Sequence, residues 1–357
     1  MNAPHIAIIV LHYKNLADTR ACLRSLANVG YPRYSIILVN NDAPAHAKAL
    51  KEEFPNVTLI QNQSNVGFAE GNNIGIRAAL KDDQTDAVLI LNNDTEVEPD
   101  FLNEMAKQLP PPVFRRGSGG GDMIAATMMQ DNDRDKVDNL GVVMMKNGLP
   151  FNRFDENQKL FCPSAGCALY SRKLLEAIRI TPVIARERTR DRGNPVNNEI
   201  ATPPKAARDD IWYFDRTYFA YAEDVDLGFR ARLLGFEPGY AENAVVYHKG
   251  SASSSKLSDL AVYNTYRNLI WTQYKNYPLT LFLRHLFWLV LGWQLIFFGY
   301  LFKGRPLVVI KAIFDGVAGL SAMKQKRNEI QKKRVADARA IRSWFERGLF
   351  PKNLLQK

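Results

Sequence analysis

Short apolar segments alternate with amphipathic segments along the first ninety residues. Each apolar segment is too short for a helix and is typical of a buried strand, whereas the segments between them have the apolar spacing of helices. This alternation predicts βαβ units and a mostly parallel sheet with flanking helices. The strand segments are HIAIIVLHY, SIILVNND, VTLIQN and AVLILNND, and the helical segments lie near residues 16–29, from Pro44 onward and at residues 70–80.

Three of the predicted strands end in side chains that form hydrogen bonds. The carboxyl ends of parallel strands meet at one edge of a sheet, and open α/β sheets bind their ligands at that edge. We therefore expect these side chains to lie close together and to face a ligand. They are His12, the Asn-Asn-Asp of residues 40–42 and the Asn-Asn-Asp of residues 92–94.

Asp94 is a single carboxylate preceded by two amides. A Mg²⁺ or Mn²⁺ ion needs only one or two protein carboxylates when substrate phosphates and water supply its other ligands. Such a site suits a diphosphate leaving group. A strand-to-turn cap, in which Asp94 bonds only the backbone, explains the same pattern.

The segment NVGFAEGNN, residues 65–73, follows a strand and begins a helix. Gly67 and Gly71 would let a ligand approach the backbone closely, and the first N–H groups of the helix would favour a phosphate or a base. Gly and Asn are equally common in ordinary loops.

The segment YFAYAEDVDLGFRARLLGF, residues 218–236, places Glu223, Asp224 and Asp226 at the start of a predicted helix. Acidic residues in a first turn are explained by capping and by the helix dipole. The apolar residues before them would partly desolvate a carboxylate and raise its pKa, which suits a general base. His248 ends a later strand, VVYH, where it is either structural or a partner of Asp94 at a metal ion.

The positive charge of the chain lies at its carboxyl end. The sequence has 47 Lys and Arg against 37 Asp and Glu, a net charge of +10, and residues 303–357 alone carry 14 against 4, also +10. The apolar run LFWLVLGWQLIFFGYLF, residues 286–302, directly precedes them. As a helix it would be roughly 26 Å long, slightly short of a hydrocarbon core of about 30 Å. The pattern favours a membrane-associated helix, spanning or in-plane, over a buried core helix, and it disfavours nucleic acid as the partner of the basic tail.

The amino terminus reads as a first strand without a signal peptide, so we expect the catalytic part to stay in the cytoplasm. Three cysteines without metal-ligand spacing fit a reducing compartment, and the basic residues after the apolar run place that flank at the cytoplasmic face of the plasma membrane. The segment GSGGG, residues 117–121, lacks the Lys and Ser/Thr of a P-loop, so we expect it to be a connecting loop. Residues 180–210 are expected to form an excursion over the surface.

The ordered set of motifs resembles family 2 glycosyltransferases of the GT-A fold, and most of all the bacterial rhamnosyltransferase-like members that build surface polysaccharides. The resemblance extends from about residue 6 to residue 320. The motifs are IIVLHYKN, IILVNNDA, NVGFAEGNN, LILNNDTEVEPDFL, FAYAEDVDLGFRARLLGF, VVYHKGSAS, YRNLIWTQYKNYP and GRPLVVIKAIFDGVAGL.

The resemblance implies an inverting transfer of a sugar, rhamnose or similar, from a nucleotide sugar to an acceptor hydroxyl. It implies that Asp94 and His248 hold a divalent cation (Mg²⁺ or Mn²⁺), that Asp224 is the general base and that Glu223 positions the acceptor. The family commonly has Asp where this chain has Asn40, whose amide can bond a base or ribose without charge. The residues expected to bind the nucleotide sugar are His12, Tyr13, Asn40, Asn65, Gly67, Phe68, Asn73, Asn92 and Asn93.

These inferences predict a GT-A catalytic domain at residues 1–262, a membrane-associated helical region at 263–320 and a basic helical tail at 321–357. The expected partners are a nucleotide sugar (dTDP-rhamnose, or a UDP- or GDP-sugar), a glycan or lipid-linked acceptor and an anionic membrane surface. The alternative is a membrane-associated scaffold that keeps the fold without catalysis.

Overall fold

The computed structural model describes residues 3–110, 121–180, 211–250 and 258–351. Its main feature is a nine-stranded mixed sheet, in the order β3-β2-β1-β4-β10-β6-β11-β5 with β7 paired to β6. A second sheet has the order β12-β8-β9. The strands are β1 (His5–His12), β2 (Tyr34–Asn40), β3 (Thr58–Gln61), β4 (Thr85–Asn92), β5 (Thr95–Val97), β6 (Met123–Gln130), β7 (Asp133–Asn139), β8 (Val142–Met145), β9 (Pro150–Asn152), β10 (Cys167–Ser171), β11 (Pro238–His248) and β12 (Phe345–Glu346).

The helices cover both faces of the large sheet and form the carboxyl-terminal part of the chain. A short 3-10 helix at Arg216–Tyr218 precedes α6. The α-helices are α1 (Leu16–Ala27), α2 (Pro44–Glu53), α3 (Gly67–Ala79), α4 (Phe101–Lys107), α5 (Arg172–Ile178), α6 (Glu223–Leu233), α7 (Asp259–Asn276), α8 (Leu279–Phe302), α9 (Pro306–Ala318), α10 (Leu320–Lys333) and α11 (Ala338–Ser343).

The predicted α/β alternation is confirmed. Strands β3, β2, β1 and β4 pair in parallel, and β10 then joins β4 antiparallel. The β1 side chains alternate between two cores: Ile6 and Ile8 belong to one, and Ala7 and Ile9 belong to the other. Because both faces of this strand are covered, its apolar run is nearly continuous. The carboxyl ends of β1, β2 and β4 therefore lie side by side, as expected.

Helix α8 is longer than the predicted 17-residue run because it continues through Arg284 and His285. Its 24 residues make it roughly 36 Å long, which is enough to cross a hydrocarbon core. One stripe of the helix packs on the domain, with Gly292 against Asn147 and Leu289 against Gly148. The stripe consists of Leu281, His285, Leu289, Gly292, Ile296 and Tyr300.

The remaining faces of α8 and α9 expose large apolar side chains, including Phe287, Phe302, Leu307 and Phe314. By length and composition α8 qualifies as a membrane span, and α9 with α10, bent by 60°, qualifies as a second candidate.

The segment expected as a basic helical tail forms α10 and α11 but then returns to the second sheet. Phe345 pairs in parallel with Met144 of β8, and Trp344 and Phe345 are buried in the main core. Residues 321–351 are therefore not a separate tail. Most of the predicted surface excursion, residues 181–210, and most of the GSGGG segment lie outside the described residues.

Candidate active site

A cleft of about 540 Å³ opens at the carboxyl edge of β1 and β2. Backbone turns and amide side chains form its wall, so the cleft offers both donors and acceptors of hydrogen bonds. Asp42 is the one carboxylate among its lining residues. Such a surface suits a base and a ribose. The lining residues are Tyr13, Asn41, Asp42, Ala43, Pro44, Gln61, Asn62, Gln63, Ser64 and Asn65.

Asn41 holds the Gly67 loop against this cleft. Its Nδ2 donates to Asn65 Oδ1 (3.3 Å) and to the Gly67 carbonyl oxygen (3.1 Å), and Asn65 Oδ1 also accepts from Gly67 N–H (2.9 Å). Gly67 has φ of +85°, and a Cβ added to it would lie 2.6 Å from the Phe219 ring and 2.7 Å from the Phe219 carbonyl oxygen. Only glycine fits this position.

Gly67→Ala should therefore separate the Gly67 loop from Phe219. We expect a loss of roughly 2 kcal/mol in the free energy of unfolding, from positive φ and overpacking together, and a transfer rate lowered at least about tenfold. Chemical denaturation and a transfer assay measure the two effects. Gly235→Ala is the matched control, because Gly235 also has positive φ (+87°) but a Cβ there meets nothing within 4 Å. Equal losses in both variants would contradict a role for the contact with Phe219.

Several residues expected to bind the nucleotide sugar have their polar groups engaged within the protein. Asn40 Nδ2 donates to Gln61 Oε1 (2.7 Å) and to the carbonyl oxygen of Asp42 (3.0 Å), so Asn40 shapes the turn beneath the cleft. Asn73 is fully buried, accepts from the N–H groups of Tyr213 and Phe214 (both 2.9 Å), and donates to the Phe214 carbonyl oxygen. The structure does not bring Asn73 into the cleft, and it packs Phe68 against the core.

Asp94 and His248 lie together at the ends of β4 and β11. Asp94 Oδ1 is 3.4 Å from His248 Nε2, and His248 Nδ1 is 2.8 Å from Asp138 Oδ2. Burial lowers the pKa of His248, but the hydrogen bonds and negative charges of Asp138 and Asp94 outweigh burial and raise it to about 10.

The residues of this cluster fit a divalent cation. A carboxylate that holds the far nitrogen of a histidine is the usual support for a histidine ligand, and 3.4 Å is a spacing that two ligands of one ion adopt. Sequence reasoning missed Asp138, which lies 110 residues from His248 in a polar strand with no apolar pattern.

A short loop joins the end of β4 to the acidic pair. The Gly166 carbonyl oxygen accepts from Asn92 N–H (2.9 Å), and the adjacent Ala165 N–H donates to Asp224 Oδ2 (3.2 Å). The strand end that carries Asp94 and the helix start that carries Asp224 therefore contact adjacent residues of one loop.

Glu223 and Asp224 have different surroundings. Burial, and then the charge of Asp224, raises the pKa of Glu223 to about 8. Glu223 Oε2 has no hydrogen-bond partner among the described residues. Burial also raises the pKa of Asp224, against hydrogen bonds from Ala165 and Val225 that lower it. At neutral pH Glu223 therefore holds a proton, whereas Asp224 accepts two backbone hydrogen bonds, which favour the carboxylate form.

Glu223→Gln should stabilise the protein and reduce its activity. In the unfolded chain Glu223 loses its proton near the ordinary pKa of 4.5, and in the folded chain it does so near 8. Folding therefore takes up a proton between these values, so stability is fully present below pH 4.5 and falls as pH rises towards 8. The neutral Gln removes this dependence, and we expect it to add about 1 kcal/mol or more at pH 8.

Thermal unfolding of both proteins at several pH values between 5 and 8 tests this expectation. Glu52→Gln, at a mostly exposed carboxylate, is the control and should leave the pH dependence unchanged. A Tm that falls with pH in Glu223→Gln as steeply as in the wild type would contradict the raised pKa.

Asp226, the third acid of the segment, belongs to a buried ion network instead. Its Oδ1 is 2.9 Å from Lys275 Nζ and its Oδ2 is 3.0 Å from Arg230 Nε. Lys275 Nζ also lies 2.6 Å from Asp215 Oδ2, and Lys326 Nζ lies 2.7 Å from Asp215 Oδ1. Asp226 is fully buried and its Oδ1 also accepts from Asn276 Nδ2 (2.9 Å), so an acceptor hydroxyl does not reach it and its role is structural.

The residues before Glu223 have an unusual backbone that one buried amide holds. Phe219, Tyr221 and Ala222 all have φ between +63° and +74°. Asn268 Nδ2, on α7, donates to the carbonyl oxygens of Tyr218, Ala220 and Tyr221 at 2.8–3.0 Å. Left-handed backbone at residues with side chains is found mostly at functional sites. Asn268 therefore positions the acidic pair. It lies in the motif YRNLIW, but the sequence of this motif does not indicate such a role.

His12 is buried at the end of β1, and burial is the main cause that lowers its pKa. Its Nδ1 is 2.7 Å from Thr19 Oγ1, which also accepts from Asn93 Nδ2 (2.8 Å). His12 and Asn93 thus share one hydroxyl, while Tyr13 is exposed at the cleft.

Residues 7–179 match the family model described as glycosyl transferase family 2. The chain is 19% identical over 264 residues to the low-salt glycan biosynthesis hexosyltransferase Agl10 of Haloferax volcanii, a match that spans 74% of this chain and 73% of that protein.

Among solved structures, the mannosyltransferase PcManGT from Pyrobaculum calidifontis in complex with GDP-Man and Mn²⁺ is similar with a TM-score of 0.49 and 16% identity. That match covers 90% of this chain and 76% of that one. S. aureus TarS 1-349 is similar with a TM-score of 0.46 and 16% identity, over 75% of this chain and 65% of that one.

Proposed function

The chain is a glycosyltransferase of family 2 with a GT-A-like fold, and we propose that it moves a sugar, rhamnose or similar, from a nucleotide sugar to a hydroxyl of a glycan with inversion at the anomeric carbon. The observation that carries this proposal is the loop at Ala165 and Gly166, which contacts both the strand end that bears Asp94 and the helix start that bears Asp224. The leaving diphosphate and the attacking hydroxyl lie on opposite sides of the transferred sugar, and each needs a protein group beside it. Asp94 and Asp224 supply these two groups.

Asp224 is the general base of the proposed reaction. Its carboxylate takes the proton of the acceptor hydroxyl while the hydroxyl oxygen forms a bond to the anomeric carbon, and the bond from that carbon to the diphosphate oxygen breaks. Glu223, protonated at neutral pH, orients the acceptor through a hydrogen bond that it donates. Proton transfer of this kind contributes about 10²- to 10⁴-fold.

Asp94 and His248 would hold a divalent cation, Mg²⁺ or Mn²⁺, with Asp138 fixing the His248 ring. Such a cation neutralises charge on a departing diphosphate. The nucleoside part of the donor would lie in the cleft between Tyr13 and Asn65, with the diphosphate directed towards Asn92 and Asn93. The wall of amides and backbone groups supports a base and ribose there.

The exposed apolar faces of α8 and α9 support association with a membrane. Exposed basic side chains stand in the same two helices or at their ends, at Arg284, Lys303 and Lys311, and would attract an anionic leaflet. We propose that the enzyme works at the cytoplasmic face of the plasma membrane on a lipid-linked or surface glycan. No nucleic acid is part of the proposed function.

A transfer assay tests the proposal. Detergent-solubilised protein is incubated with a panel of dTDP-, UDP- and GDP-sugars, a divalent cation and short lipid-linked glycans, and the product is examined by NMR. We expect release of one nucleoside diphosphate and a product whose anomeric configuration is opposite to that of the donor. A product that retains the donor configuration would contradict the assigned role of Asp224.

A further inference from the structure

A second cluster of metal-ligating side chains lies at the wall of the cleft, apart from the cluster of Asp94, His248 and Asp138 and from the acidic pair. It consists of His12 at the end of β1, Asp42 after β2 and His46 in the first turn of α2. His12 Nε2 is 3.4 Å from His46 Nδ1, and His46 Nδ1 is 3.1 Å from Asp42 Oδ2. All three ligand atoms lie within 4.8 Å of one another.

The two distances to His46 Nδ1, 3.4 and 3.1 Å, match the ligand spacing of one tetrahedral ion. Two ligand atoms that are each about 2.0–2.1 Å from a tetrahedral Zn²⁺ ion are about 3.3 Å apart. The three ligands come from three separate elements, so their approach is not the result of local helix spacing alone. Asp42 is further held by the Lys14 N–H, which donates to Oδ2 at 2.9 Å.

The surrounding hydrogen bonds fix the tautomer of His12. Thr19 Oγ1 donates its single hydrogen to the Asn15 carbonyl oxygen (3.1 Å), so it accepts from His12 Nδ1 at 2.7 Å. The proton of His12 is therefore on Nδ1, and the lone pair of Nε2 faces His46. A neutral imidazole whose far nitrogen donates to a buried oxygen has the arrangement of a metal-bound histidine.

We propose that His12, Asp42 and His46 bind a divalent transition-metal ion of the Zn²⁺ class, separate from the cation at Asp94. Two imidazoles and one carboxylate leave a fourth position open and favour Zn²⁺ over Mg²⁺ or Mn²⁺. The ion holds the turn after β2 against the end of β1. That turn forms part of the cleft wall, and the hydroxyl of Thr19 connects His12 to Asn93 at the end of β4.

Zinc binding to the full-length, detergent-solubilised protein tests this site. The protein is stripped of metal with a chelator and then titrated with Zn²⁺ against a chromophoric indicator, and with Co²⁺ for its visible spectrum. His46→Gln removes one ligand at a partly exposed position, and His248→Gln is the matched control at the Asp94 cluster. Circular dichroism checks that each variant is folded.

We expect one tightly bound Zn²⁺ and a tetrahedral Co²⁺ spectrum in the wild type and in His248→Gln. Zn²⁺ affinity should fall at least about 100-fold in His46→Gln. Wild-type protein that binds no Zn²⁺ at micromolar concentration, or a His46→Gln variant that binds as tightly as the wild type, would overturn the assignment. The test uses no sugar nucleotide, so its result is independent of the proposed function.

Discussion

Asp224→Asn should lower the transfer rate by about 10³-fold while leaving the protein folded and able to bind its donor. The amide keeps the shape of the side chain and can still accept from Ala165 N–H, but it cannot take the proton of an acceptor hydroxyl. A positioned general base contributes about 10²- to 10⁴-fold, which sets the size of the expected loss. The measurement is kcat with saturating donor and acceptor, together with the Kd for the nucleoside diphosphate.

Asp83→Asn is the matched control for this substitution. Asp83 is exposed in the turn before β4, at the opposite edge of the sheet, so we expect wild-type turnover. A wild-type kcat in Asp224→Asn would show that Asp224 is not the general base. A tenfold loss that came entirely from a raised KM would assign it to acceptor binding instead.

Lys275→Met should lower the free energy of unfolding by about 3 kcal/mol. Lys275 is fully buried, and its ammonium group lies between the carboxylates of Asp215 and Asp226. Burial raises the pKa of Asp215, but the charges of Lys275 and Lys326 outweigh burial and hold it well below its usual range. Removing one partner of such a network leaves buried charge without compensation, which typically costs about 3–5 kcal/mol. Lys326 and Arg230 remain to compensate in part, so the lower end of that range is expected.

Urea unfolding at pH 7 measures this effect, and Lys48→Met, at an exposed helix position, should change stability by no more than about 0.5 kcal/mol. The same network joins α6 to α7 and α10, so Lys275→Met should also reduce activity through the position of Asp224. A stability loss no larger than that of Lys48→Met would show that the remaining cations compensate for the missing charge.

The sequence predicts the strand ends well because their signal is local. An apolar run followed by Asn-Asn-Asp predicts both the strand and the edge at which it ends, and the structure brings His12, Asn93 and Asp94 to that edge together. The Gly67 loop is predictable for the same reason, although α3 begins at Gly67, three residues before the predicted start. The acidic pair also lies at a helix start, as predicted, because Glu223 and Asp224 stand in the first turn of α6.

Residues whose role depends on distant partners were not predictable. In the sequence Asn73 looks no different from the other polar residues of its motif. In the structure its amide oxygen accepts a hydrogen bond from the backbone N–H of Tyr213, 140 residues away. Asp138 and Asn268 support His248 and the left-handed loop across similar distances, and neither stands in a recognisable pattern. The sequence does not distinguish the three acids of residues 223–226. Asp226 differs from the other two because it forms a buried ion pair with Lys275, about fifty residues later, and so does not belong to the site.

The carboxyl-terminal part differs from prediction for a related reason. Composition predicts an apolar helix and a basic tail; the apolar run lies in α8 and the basic residues begin in α10, but the chain then returns to the second sheet. It does not show that Gly292 and Gly148 allow α8 to pack on the domain, or that Phe345 continues into a strand beside Met144. The apolar faces that stay exposed on α8 and α9 are the part of the membrane prediction that the fold retains.

The most direct test of the central claim is calorimetric binding of nucleoside diphosphates to wild-type protein, Asp94→Ala and Asp224→Asn, each with Mn²⁺, with Mg²⁺ and with EDTA. The account predicts cation-dependent binding of one nucleoside diphosphate by the wild type and by Asp224→Asn, and its loss in Asp94→Ala. No binding by the wild type with either cation, or equal binding by Asp94→Ala, would contradict a donor site at the end of β4 and would favour a scaffold that keeps this fold without catalysis.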